Sequence, residues 1–105
     1  MQLTSYLDDG QLTVALNGEI DHHTAKGYIQ SVTTKLEIYM PRVCVLDFQD
    51  VSFMDSSGIA VVINTLRQMN KIGGELELTG LSKQPMKVFQ ASGVDKLIKI
   101  REEIV

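Results

Sequence analysis

Between residues 43 and 71 the chain passes from a short apolar run to an amphipathic helix through Phe53-Met54-Asp55-Ser56-Ser57-Gly58-Ile59-Ala60, and few folds accommodate that succession. Val43-Cys44-Val45-Leu46 is continuous and rich in β-branched residues, the pattern of a strand buried on both faces in a mainly parallel sheet. Downstream, Ile59, Val62, Ile63, Leu66 and Met69 recur at helical spacing, with Asn64, Arg67, Gln68 and Lys71 opposite them. The loop between therefore leaves the carboxyl end of a core strand and enters a helix. In open α/β sheets, sites are built along that edge.

Asp55, Ser56 and Ser57 are each good caps for the amide donors left over at a helix start. One cap suffices, so at least one hydroxyl is spare. A phosphate on Ser56 would sit near free amides and the positive end of the helix dipole, which favour negative charge by roughly 0.3–1 kcal/mol at an exposed site. Ser57, nearer the helix body, is placed to bond local backbone. Gly58 would let a partner approach the main chain closely.

The remaining sequence supplies the other elements. Residues alternate with period two on both sides of Asp8-Asp9-Gly10, the signal of a hairpin, and Asn17-Gly18-Glu19-Ile20 ends its second strand. Asp21 is placed to cap a helix over 22–39, in which Ala25, Tyr28, Ile29, Val32 and Leu36 form the buried stripe, stopped before Pro41. The helix after Ser57 runs to about Lys71 and exits through Gly73-Gly74. Residues 75–79 alternate as a strand nearer the sheet edge than 43–46. A third helix follows Ser82, with Pro85 in its first turn and Met86, Val88 and Phe89 facing inward, and ends at Ser92-Gly93. Residues 97–100 read as a last strand, and 101–105 as a tail with no assigned structure. The expected fold is one α/β domain over 1–105, a mixed sheet of about five strands made of an N-terminal antiparallel hairpin and a parallel core, with three or four helices.

Several chemistries are disfavoured. With 10 basic against 13 acidic residues, a net charge of −3 and no basic cluster, direct nucleic-acid binding is not expected. No apolar run approaches the ~20 residues of a membrane span, and no secretory leader is evident, which together predict a cytoplasmic domain. The single cysteine, Cys44, lies in the apolar run and reads as a core residue. With 2 adjacent histidines as the only others, the usual zinc sets are missing, so neither metal nor cofactor is expected. Asp21-His22-His23 could belong to a hydrolase triad with Ser56 or Ser57. Yet no Gly-x-Ser-x-Gly elbow is present, and adjacent histidines on a helix diverge by about 100°. A capping aspartate followed by exposed histidines fits better, and no catalytic residue is assigned. Of the methionines, Met54, Met69 and Met86 read as core filling, and Met40 as exposed.

Three separated motifs carry a family resemblance: Gly18-Glu19-Ile20-Asp21-His22-His23-Thr24, Phe53-Met54-Asp55-Ser56-Ser57-Gly58 and Phe89-Gln90-Ala91-Ser92-Gly93. In that order, and spanning nearly the whole chain, they resemble the STAS domain of bacterial anti-sigma factor antagonists of the sporulation type. The resemblance implies a partner-switching phosphoprotein that regulates transcription and is not an enzyme. Its unphosphorylated form would bind an anti-sigma serine kinase, with that kinase's nucleotide, and release a sigma factor; phosphorylation on Ser56 would end the binding. It also implies that Asp21, His22, His23, Thr24, Met54, Asp55, Ser57 and Gly58 form the partner-binding set on a domain that is monomeric when free. The alternative is a constitutive STAS subunit of a transporter or a larger signalling assembly.

Overall fold

The computed structural model describes residues 3–101; residues 1–2 and 102–105, the latter most of the unassigned tail, lie outside it. β1 (Thr4–Asp8) and β2 (Gln11–Ile20) form the expected hairpin. At its tip Asp9 and Gly10 have φ of 48° and 78°. Two consecutive left-handed residues make the tight turn whose twist matches the strands it joins. Arg42 fastens this tip to the next strand: its N–H and that of Val43 donate to the Gly10 carbonyl at 2.9 and 3.3 Å.

There follow α1 (Ala25–Tyr39), β3 (Val43–Met54), α2 (Ser57–Lys71), β4 (Glu75–Thr79), α3 (Lys83–Ser92), a 3₁₀ turn at Val94–Lys96 and β5 (Lys99–Ile100). The strands lie in the order β1-β2-β3-β4-β5, with β1 antiparallel to β2 and every later pair parallel. The described residues thus form the mixed five-strand α/β domain with three helices.

Period-two alternation sorts the sheet into unlike faces. Leu12, Val14 and Leu16 of β2, Cys44, Leu46 and Phe48 of β3, and Leu76 and Leu78 of β4 join Tyr28, Val32 and Leu36 of α1 and Val61, Val62 and Met69 of α2 in one core. Phe89 of α3 meets Phe48 edge-on, with ring centroids 5.6 Å apart at 83°. On the other face Thr13, Val45 and Glu77 stand side by side in register. The Arg101 guanidinium spans them, bonding the Glu77 carboxylate on β4 and Gln11 Oε1 on β2 at 3.0 Å. That pairing allows Glu77 to be only 7% exposed.

Five boundaries or faces differ from the sequence reading. β3 continues to Met54 because β2 stays beside it through two register shifts, whereas β4 leaves it at Asp47. With one side open, Gln49, Asp50, Ser52 and Phe53 remain in solvent, and the apolar pattern stops at half the strand's length. α1 begins at Ala25, since residues 22–24 form a turn. The buried line of α2 runs through Gly58, Val61, Val62, Thr65 and Met69, with Ile59, Ile63 and Leu66 only partly buried beside it. Small Gly58 and Thr65 face inward, and the Thr65 hydroxyl is satisfied by the Val61 carbonyl at 2.8 Å. Of the strand expected over 97–100 only Lys99–Ile100 forms, and Leu97 is exposed. Finally, α3 buries Pro85 and Phe89 while Met86 and Val88, expected to face inward, are half-covered.

Candidate functional site at the carboxyl edge of the sheet

β2 and β3 end together. Ile20 pairs with Met54, and the Asp55 N–H donates to the Ile20 carbonyl at 3.0 Å, so the loops starting at Asp21 and Asp55 emerge side by side and lead into α1 and α2.

At the α2 entrance the capping group is Asp55. Its Oδ1 accepts the Ser57 N–H at 2.7 Å, and its carbonyl accepts that of Gly58 at 3.1 Å. Ser56 occupies the N-cap position with φ −63° and ψ −14°, but its side chain makes no capping hydrogen bond, and it is exposed. Ser57 is half-buried, and its hydroxyl makes no local backbone bond, contrary to the sequence expectation; only its N–H is held, by Asp55.

Met54 and Gly58, both expected in a contact surface, are buried. A methyl group at Gly58 would collide with the Met54 sulfur, so the glycine admits the neighbouring side chain and not a partner's backbone. Both residues support the loop from beneath.

The neighbouring loop is organised by Asp21 and Thr24. Asp21 Oδ1 accepts the N–H groups of His23 at 2.9 Å and Thr24 at 3.1 Å, so it caps the turn before α1 and not the helix itself. The Thr24 hydroxyl donates to the Glu19 carbonyl at 3.0 Å and accepts the Asp21 N–H at 3.0 Å. Partial burial opposes ionisation of Asp21, but the Thr24 and His23 amides, the His23 ring and the Thr24 hydroxyl outweigh it and hold the carboxyl below its usual value. His22 and His23 are exposed, with ring centroids 3.9 Å apart and planes inclined at 39°. They lie in a turn, so the helical divergence expected of them does not apply. Asp21 Oδ1 faces backbone amides, and no Asp-His dyad of the hydrolase kind is formed with it. Beneath the loop the Tyr28 phenol donates to the Asn17 carbonyl. Burial chiefly raises its pKa, and the charge of Asp21 adds to the rise.

Sequence reasoning missed Gln84. From the first turn of α3 its side-chain Oε1 accepts the Met54 N–H at 2.9 Å, and its Nε2 donates to the Met54 carbonyl at 2.6 Å. Thirty residues separate the partners, and no local pattern announces such a pair.

Known proteins resemble this chain in sequence and in fold. The chain is 29% identical over 96 residues to the anti-sigma F factor antagonist of Paenibacillus polymyxa, covering 91% of this chain and 82% of that protein. It is 31% identical over 94 residues to the anti-sigma-B factor antagonist of Bacillus subtilis, covering 89% and 84%. Among solved structures, the anti-sigma factor antagonist SpoIIAA in its unphosphorylated form superposes with a TM-score of 0.80 at 26% identity, covering 97% of this chain and 90% of that one. The Bacillus cell fate determinant SpoIIAA in the phosphorylated form gives 0.72 at 26% identity, covering 97% and 93%. The STAS domain family matches residues 2–105, and with relatives at this identity over most of their length, the chain belongs to the STAS domain family.

Proposed function

We propose that this protein is a cytoplasmic anti-sigma factor antagonist whose unmodified form binds an anti-sigma serine kinase through the Asp21–Thr24 and Asp55–Ser57 loops and thereby frees a sigma factor. Phosphorylation of Ser56 by that kinase ends the binding. The observation that carries this reading is the Ser56 hydroxyl: exposed, at a helix start, and relieved of capping by Asp55. The names of the relatives supply the anti-sigma partner and a regulatory role in place of an enzymatic one.

Physically, a phosphoserine adds about −1.5 to −2 charges at pH 7, beside two loops that already present Asp21 and Asp55. Desolvating that charge in a tight contact is costly, and a 100-fold loss of affinity requires only about 2.7 kcal/mol. Incubation with the cognate kinase and ATP should place one phosphate on the wild type and on Ser57→Ala, and none on Ser56→Ala, which should still bind. Ser56→Asp should bind with intermediate weakness, since one charge imitates a dianion poorly. Phosphate located on Ser57 by mass spectrometry, or tight binding kept after complete modification of Ser56, would overturn the reading.

A further inference from the structure

β3 loses its β4 neighbour after Asp47, seven residues before Met54, because β4 ends at Thr79 and turns away through Gly80. Along a strand, successive residues point their backbone groups to alternate sides. The Asp55 N–H is taken by Ile20 on the β2 side, so the Met54 N–H and C=O face the side that β4 has left. Unmet, these two groups would leave the last residue before Asp55-Ser56 held from one side only. The Gln84 side chain fills that place. Its primary amide offers one acceptor and one donor, the pair a strand neighbour would offer, at 2.9 and 2.6 Å.

We propose that Gln84 is a positioning residue for the Ser56 loop, its side-chain amide standing in for the missing strand so that the Ser56 hydroxyl is presented in a fixed place. The inference deepens the proposed function and rests on it for the kinase; the two hydrogen bonds are independent of it. Preorganisation of this kind cuts the ordering cost a partner must otherwise meet on binding. Only an uncharged primary amide of this length supplies both bonds. Gln84→Met keeps the side chain's length and removes them, and Gln84→Ala removes the chain as well.

The test has two arms. In the free protein, amide hydrogen exchange at Met54 should speed up at least tenfold in Gln84→Met and Gln84→Ala, while a central amide such as that of Leu46 exchanges as in the wild type. With the cognate kinase and ATP, both variants should show kcat/KM for Ser56 phosphorylation reduced about tenfold. Gln90→Ala, an exposed change on the same helix, should leave both readouts unchanged. Met54 protection equal to wild type in Gln84→Met overturns the proposal, and so does lost protection with an unchanged rate of phosphorylation. A wild type that accepts no phosphate on Ser56 sinks the switch reading instead, and the exchange arm then decides by itself whether Gln84 holds the loop.

Discussion

Gly58 and Asp21 show how single residues set the shape of this edge. Placing a methyl at Gly58 drives it into the buried Met54 sulfur. Overpacking costs about 1–3 kcal/mol, offset by up to about 1 kcal/mol of helix propensity, so Gly58→Ala should destabilise by about 1–2 kcal/mol in denaturant titration. An unchanged midpoint would mean Met54 has room to move. At Asp21 the sign follows from the direction of the shift: a folded-state value below the ordinary 3.8 stabilises the protein above that pH, and the contribution is lost as pH falls through the folded value. Wild type should therefore be more stable than Asp21→Asn at pH 7, and the gap should narrow by pH 3. Thermal melts with the same gap at both pH values would remove the carboxylate from the account. The presence of a capping group at each loop was legible in the sequence. Which oxygen does the capping was not, because Asp55, Ser56 and Ser57 are chemically equivalent candidates until the backbone path chooses among them.

At the scale of elements, β3 decides most. Leu46 is fully buried between β2 and β4, so Leu46→Ala should cost about 2–5 kcal/mol through lost burial and a residual cavity. A change below about 0.5 kcal/mol on chemical denaturation would contradict its central place. The hairpin, the stripe of α1 and the strand at 75–79 could be read locally, because each has its own period and its own turn residues. The carboxyl half of β3 could not: Gln49, Asp50 and Ser52 are polar because one side of that half is open, a fact of topology and not of propensity. Gln84 was invisible for the same reason, since its two bonds reach across 30 residues. On α2 the apolar residues were recognised, but Gly58 and Thr65, which face inward by being small, carry no hydrophobic signal.

The whole molecule is a sheet with its helices packed into one core, and Cys44 reports on that core as a unit. Its side chain is fully buried, and burial pushes the thiol up to about 12. Thiol labelling at pH 8 should therefore be slow and should follow global unfolding, accelerating in Leu46→Ala in step with its loss of stability. Rapid labelling of the native protein, without change in its denaturation midpoint, would reveal a local opening at the centre of the sheet. Fold class and family were legible because three separated motifs recur in order along the chain; the division of labour along the carboxyl edge, where the first two of them end, required coordinates. The Asp55 side chain holds the helix start, and the Ser56 hydroxyl makes no capping bond there. A group attached to a hydroxyl with no structural duty can be added and stripped repeatedly without loosening the scaffold. In the proposed switch the protein's history would thus be written as an erasable mark, kept in charge and not in shape, and one molecule could pass through many rounds of signalling before it had to be replaced.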